Sequence, residues 1–308
     1  MSLPGVIPRV GSFPHRSNRD LIMELLLPAT VSGLLMGMVF ALVALGLAII
    51  FGVMNIVNFA HGEFLMVGMY TAFLTATILS LEPLLTLPVA AIVGLLLGVA
   101  SYYLLVRYLL KGPMLAQLLG TFGLMIFLRY LAMSIFGPDY KILEHGLLIG
   151  KSITWGPVVF SYSRLGTAAI SLVAFGIVYW LINYTRLGMA LKATALDVEA
   201  ASYMGINTER MRAFAWALGG ATVGIAGALL TNFYYVFPTV GILFVMIAFT
   251  TVALGGFGSI KGAFIAGLIM GLIIDLGGTY VGPQHKFALI YLTYFLVVVL
   301  RPQGLFGW

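Results

Sequence analysis

Two asparagines, a histidine and a glutamate stand within nine residues of one another, in the stretch NIVNFAHGEF from Asn55 to Phe64. Long apolar runs flank it on both sides. Two arrangements suit such a cluster. In one, the chain makes a tight polar hairpin at a membrane surface. Asn58 then caps a helix N-terminus and Glu63 sits in the first turn, at the positive end of the helix dipole. In the other, a helix is broken inside the membrane and the polar groups line a path. Non-helical backbone survives at that depth only where protein or a water-filled cavity satisfies it. Ionisable groups held there are costly and tend to be functional.

Other chemistry is thin. The chain has no cysteine, which excludes disulfides, iron–sulfur clusters and thiolate metal sites. Its four histidines, His15, His61, His145 and His285, are scattered, and no HExxH pair occurs. The run GLLIGKS, Gly146 to Ser152, is one residue short of a nucleotide-binding P-loop and follows no strand. It is set aside, so an ATP-driven process would need a partner to supply the nucleotide site.

The 308 residues are 61% apolar and 8% charged, with a mean hydropathy of +1.09. A soluble domain carries about 25% charged residues. Too few charges are present to cover a soluble surface, so the expected fold is all-α, a polytopic transmembrane bundle of eight to nine spans. The net charge of +6 points to cytoplasmic loops of a membrane protein rather than to nucleic acid. Residues 1–20 form a Pro-, Gly- and Arg-rich tail, and 21–308 one membrane domain.

A spanning helix needs about 20 mostly apolar residues. Candidate spans are Leu21 to Phe51, Glu63 to Ser80, Leu84 to Leu110, Met114 to Phe136, Gly166 to Tyr184, Ala213 to Val236, Gly241 to Leu254, Ala263 to Leu276 and Lys286 to Leu300. The first exceeds one span, which suggests an interfacial turn before Pro28. The seventh and eighth are short. The loop at 185–212 is rich in Lys and Arg and is placed in the cytoplasm, together with Arg107, Lys111 and Arg301. The mixed-charge loop from Gly137 to Leu165 then lies outside. So does the N-terminus, against the bias expected from Arg9, Arg16 and Arg19.

Small residues recur at four-residue spacing: Gly33, Gly37 and Ala41; Gly94 and Gly98; Gly220, Gly224 and Ala228; Gly267 and Gly271. Such rows make flat helix faces for close packing, within the bundle or against a second subunit. A second interruption, TTVALGGFGSIKGAFIAG from Thr250 to Gly267, echoes the first in layout. One glycine-rich break per half points to an internal repeat with a substrate path at its interface.

The cytoplasmic loop contains LKATALDVEAASYMGINTERMR. Leu196, Ala200, Tyr203 and Met204 approximate one face of a short helix. Asp197 and Glu199 fall at its start, Gly205 suits a left-handed end, and Asn207 suits the turn that follows. An apolar ridge on such a helix is fit to dock into a groove on a partner.

Within it, EAASYMG (Glu199 to Gly205) matches the opening of the EAA-xxx-G loop by which ABC importer permeases contact their ATPases; the trailing IxLP part is absent. Together with LVALGLAIIFGVMNIVNFAHGEFLMVGMYTAF and TTVALGGFGSIKGAFIAGLIMG, the chain resembles the H-type permease subunits of branched-chain amino acid ABC importers, from about Gly33 to the closing LRPQGLFG. The same superfamily contains urea and short-chain amide permeases. The resemblance implies one half of a pore in the bacterial inner membrane. It implies a related M-type permease as second subunit, two cytoplasmic ATPases carrying ATP and magnesium, and an extracytoplasmic binding protein. This chain itself would bind no cofactor and catalyse nothing. Asp197, Glu199, Ala200, Ala201, Gly205, Ile206 and Asn207 would form the coupling loop. Leucine, isoleucine and valine need apolar walls and a few dipoles. Phe51, Met54, Phe59, Phe64 and Met66 are wall candidates. Asn55, Asn58, His61, Glu63, Gly255, Gly256, Gly258 and Ser259 are candidates for polar contacts. The rival from another class is a secondary transporter with His61 and Glu63 as proton relay. It is short of further ionisable groups: Arg129, Asp275 and Glu24 are the others in the spans.

Overall fold

The computed structural model describes residues 18–144, 146–155 and 158–307. Most of the tail therefore lies outside the described residues, as does His145. The helices are α1 (Asn18–Met54), α2 (His61–Leu79), α3 (Leu87–Ser101), α4 (Arg107–Leu109), α5 (Met114–Phe136), α6 (Tyr162–Tyr184), α7 (Arg186–Leu196), α8 (Val198–Tyr203), α9 (Thr208–Leu230), α10 (Val240–Gly255), α11 (Ile260–Tyr280) and α12 (Lys286–Leu300). A π-helical turn over Tyr102–Val106 joins α3 to α4, so Pro83 to Leu109 runs as one span. Eight helices among the described residues are long and apolar enough to cross a membrane, and α10 is a shorter ninth. In lipid a backbone must satisfy its own hydrogen bonds, which is why apolar runs of this length become helices.

Three details depart from the sequence reading. Helix α1 continues through Pro28 without a turn; in this stretch the Thr30 hydroxyl donates to the Leu26 carbonyl at 2.7 Å. The outer loop is not wholly irregular. It holds an antiparallel hairpin of β1 (Ser152–Trp155) and β2 (Val158–Ser161). The span expected to reach Val236 ends at Leu230, and a nine-residue segment, 231–239, precedes α10.

The bundle has two distinct ends. One carries α7, α8, the turn between α10 and α11, and Arg107, Lys111, Lys192, Arg210, Arg212, Lys261 and Arg301. This concentration of Lys and Arg marks it as cytoplasmic. The hairpin end carries both signs of charge. Helix α1 starts at the hairpin end and finishes at the cytoplasmic end, where Gly52 packs on Gly258.

All four small-residue rows are used inside the chain, in two pairs. Gly33, Gly37 and Ala41 of α1 face Gly267 and Gly271 of α11. Gly94 and Gly98 of α3 face Ala217 and Gly220 of α9. A Cβ built at Gly37 would stand 2.7 Å from the Leu268 Cα, and one at Gly98 2.6 Å from the Ala217 Cα. Backbone meets backbone at both crossings, which sets α1 and α9 at the centre of the bundle. Helices α5 and α12 lie at its edge with most of their surface exposed.

Candidate functional site: a broken-helix centre, a groove and a coupling tip

Asn55 ends α1 in the left-handed region, with φ of 53°, its N–H donating to the Phe51 carbonyl at 2.7 Å. Asparagine tolerates this conformation better than most residues. The chain then turns back into the bundle instead of crossing its surface. The Thr121 hydroxyl of α5 donates to the Val57 carbonyl at 3.0 Å, and α2 begins at His61. His61 Nε2 lies 2.9 Å from the carbonyl oxygen of Val43. Val43 is about 16 Å from the Met54 end of α1 at 1.5 Å rise per residue, so α2 starts deep between its neighbours. The surface-hairpin arrangement is thereby replaced by the broken helix. Asn58 does not cap α2: the N-cap is Ala60, and no side chain bonds there. Both amide atoms of Asn58 are buried without a protein partner among the described residues.

Glu63 is almost fully buried and pairs with Arg129 of α5. Its Oε1 accepts from Arg129 Nε at 3.1 Å and from Nη2 at 2.5 Å. A lone buried carboxylate is costly, and the guanidinium offsets part of that cost; both nitrogens meet the same oxygen, and Glu63 Oε2 is buried without a hydrogen-bond partner among the described residues. Arg129 has no place in the sequence-derived site. Its isolation in an otherwise apolar span was the available signal, because a lone cation in a span needs a counter-charge from a neighbour.

A second break completes this centre. Helix α9 stops at Leu230, where the Thr231 hydroxyl donates to the Gly227 carbonyl at 2.9 Å and Asn232 Nδ2 to the Leu229 carbonyl at 3.0 Å. The segment is pinned to the outer loop by reciprocal backbone bonds between Lys141 and Val236, at 2.9 and 2.8 Å. Helix α10 then starts beside the start of α2. A Cβ at Gly241 would stand 2.7 Å from the Gly62 carbonyl oxygen and 2.9 Å from the Glu63 carboxyl carbon. From this meeting point α2 runs outward and α10 runs toward the cytoplasmic end. Two positive helix ends therefore converge where the Glu63 carboxylate lies.

The turn at Gly255–Ser259 sits elsewhere than a mid-bundle break. It lies at the cytoplasmic end, with Gly256 and Gly258 left-handed at φ of 99° and 80°. The C-terminal segment closes over it. Leu305 N–H donates to the Leu254 carbonyl at 2.8 Å and Phe306 N–H to that of Gly255 at 3.0 Å. Ser259 caps α11, accepting from the Gly262 N–H at 3.1 Å.

The expected path residues thus divide. Asn58, His61 and Glu63 are interior, and so are Phe64 and Met66. Gly255 and Gly256 are packed under the C-terminal segment. Asn55 and Gly258 come together in an open cleft with Phe51, Gly52, Phe257 and the α7 residues Lys192, Ala195 and Leu196. A second concavity, of about 420 Å³, shares Phe257 with it. It is walled by Val57, Phe59, Leu118, Met246, Phe249, Thr250, Tyr291 and Tyr294. Both concavities are largely apolar, and they also present the Asn55 amide, the Lys192 ammonium and the hydroxyls of Thr250, Tyr291 and Tyr294.

The 185–212 loop, where the coupling contacts were expected, folds as a helix pair. Thr185 caps α7, accepting from the Gly188 N–H at 3.2 Å. Asp197 Oδ1 caps α8, accepting from the N–H groups of Glu199 at 2.8 Å and Ala200 at 3.0 Å. Gly205 has φ of 82°, the left-handed exit expected there, and Asn207 Oδ1 caps α9 through the Arg210 N–H at 3.0 Å. Ala201 is buried and anchors α8, Ile206 is half-buried, and Glu199 and Ala200 are exposed. At the tip, Leu196, Tyr203 and Met204 are 88%, 87% and 83% exposed.

Helices broken inside a polytopic bundle are a recurring feature of membrane transporters. Residues 29–300 match the family described as branched-chain amino acid transport system, permease component, and the chain belongs to that family. It is 33% identical over 291 residues to the high-affinity branched-chain amino acid transport system permease protein BraD of Pseudomonas aeruginosa, covering 90% of this chain and 94% of that protein. The identity to the LivH permease of Escherichia coli K12 is also 33%, over 297 residues, with the same coverage. A probable LivH of Methanocaldococcus jannaschii is 32% identical over 241 residues, covering 75% of this chain and 74% of that one. Among solved structures, PsaBC from Streptococcus pneumoniae in complex with Fab shares the fold, with a TM-score of 0.51 and 14% identity over 94% of this chain and 98% of that one. The protein is a multi-pass inner-membrane permease.

Proposed function

We propose that this chain is one membrane-spanning subunit of an ATP-binding-cassette importer that brings leucine, isoleucine and valine into the cell. The observation that carries the reading is the coupling tip. Three large apolar side chains project from a capped helix pair on the cytoplasmic end, where a polar surface would otherwise be favoured. Clustered apolar exposure of this kind marks a docking surface. Its occupant is an ATPase subunit that holds the ATP and magnesium, and the EAASYMG sequence agrees with that. A second permease of the M type would complete the path beside these concavities. A binding protein would deliver the amino acid at the hairpin end. Closure of the ATPase pair would move α7 and α8, and α7 borders the groove through Lys192, Ala195 and Leu196. The bundle would then switch between outward and inward openings by hinge and shear. The apolar groove suits branched aliphatic side chains better than urea or a short amide.

The proton-relay reading is weaker. Glu63 is paired with Arg129 and His61 with the Val43 carbonyl, so neither is placed to pass a proton along the groove. The test is uptake of radiolabelled leucine and urea into proteoliposomes holding the assembled complex, with binding protein outside and ATP inside. ATP-dependent leucine uptake is expected. ATP-dependent urea uptake would change the cargo, and gradient-driven uptake by this chain alone would overturn the mechanism.

A further inference from the structure

The outer half of the bundle holds a concavity that the groove does not use. About 290 Å³ is enclosed among α1, α6, α10, α11 and α12, beside the segment 231–239. Phe40, Phe244, Ile247 and Ile290 give it apolar walls. Three charged side chains also line it: Arg164 near the start of α6, Asp275 on α11 and Lys286 at the start of α12. They are not closed on one another. Lys286 Nζ is 3.9 Å from Asp275 Oδ1, beyond hydrogen-bond range. Asp275 Oδ2 is buried with no hydrogen-bond partner among the described residues. Among the described residues, Arg164 Nη1 donates to a neutral group, the Ser32 hydroxyl, at 2.5 Å.

Two cations and one carboxylate beside an apolar space have a specific complement. A lone anion would meet Asp275, and a lone cation would meet Arg164 and Lys286. A solute carrying both charges a few ångströms apart, with an apolar remainder, satisfies all three groups at once. The space is slightly smaller than the pockets that hold drug-sized ligands, which begin at about 300 Å³. We propose that this cavity is an amino-acid site: Asp275 takes the ammonium, Arg164 and Lys286 take the carboxylate, and Phe40, Phe244 and Ile247 enclose an aliphatic side chain. It would hold the solute inside one subunit, against the first two turns of α10. The assignment rests on the amino-acid cargo proposed above.

The absence of native cysteine makes a direct test clean. Ile247→Cys is introduced into the full chain, assembled with its partner subunits in nanodiscs, and its alkylation by a small maleimide is timed. Leucine is expected to slow labelling. Neither 4-methylpentanoate, which lacks the ammonium, nor isoamylamine, which lacks the carboxylate, should do so. Adding Asp275→Asn should shift the protecting leucine concentration upward about tenfold or more, the loss typical of one charged hydrogen-bonded contact. If Ile247→Cys fails to assemble, Leu243→Cys reports on the same space. Leucine uptake by the complex carrying the unsubstituted chain is measured alongside. Uptake without any protection refutes the cavity and leaves the importer reading standing. Protection by 4-methylpentanoate or short-chain phosphatidylglycerol equal to that by leucine makes this an anion site and also refutes it. Absence of leucine uptake condemns the importer reading, and the labelling result then judges the cavity separately.

Discussion

At the scale of single residues, the Glu63–Arg129 pair is where the sequence is hardest to interpret without coordinates. Asn55, Asn58, His61 and Glu63 are conspicuous as polar groups in an apolar chain, and their concentration at a break between two helices is legible. Which of them face a path was not, because a pair between α2 and α5 depends on helix rotation that no local pattern encodes. Breaking the pair should cost more than removing it. Arg129→Leu leaves a buried, unpaired carboxylate and is expected to destabilise by about 3–5 kcal/mol, whereas Glu63→Leu combined with Arg129→Leu should recover much of that. Thermal unfolding of the detergent-solubilised protein reads both. Equal losses in the single and double variants would mean that packing, not charge pairing, holds this point.

Among the helices, the long spans were legible because some twenty apolar residues in lipid have few alternatives to a helix. The end of α9 was not. Phe233, Tyr234, Tyr235 and Val236 continue the apolar run past Leu230, and hydropathy does not register that the backbone has left the helix. Only Thr231, Asn232 and Pro238 hint at it. The 185–212 loop was read in part, because caps and turns are short-range: Gly205 and Asn207 stand where the exit and the turn were expected, but Leu196 does not share a helix with Ala200, since α7 ends at Leu196 and the extended Asp197 caps a separate α8. Two outcomes follow for this element. Gly205→Val places a branched side chain at a positive φ and should detach ATP hydrolysis from uptake while membrane insertion stays normal. Parallel phosphate-release and leucine-uptake assays on the complex would show hydrolysis persisting as uptake falls; coupled transport at the native ratio would refute the role given to the loop. Tyr203→Asp with Met204→Asp should abolish co-purification of the ATPase subunits and leave the permease monodisperse.

For the whole molecule, the glycine crossings are the main packing constraint. Gly37→Val drives a side chain into the α11 backbone and should cost about 1–3 kcal/mol or more, as overpacking does. Gly176→Ala, on a face of α6 where nothing lies within 4 Å, should be neutral or slightly stabilising. Melting temperatures of the two variants separate close approach from helix propensity; comparable losses would contradict the crossing geometry. The meeting of α2 and α10 has a further consequence, for biosynthesis. Helix α10 has 16 residues, a rise of about 24 Å against a hydrocarbon core of about 30 Å. Its first turn is sheltered by Gly62 and Glu63, which are synthesised far earlier. Until α2 is in place, that turn and the nine residues before it would leave polar backbone exposed to lipid. The C-terminal half therefore has a template, not merely a neighbour. If the chain is cut in the outer loop between α5 and α6, the C-terminal fragment made alone should be degraded, and supplying the N-terminal fragment in the same cell should rescue it.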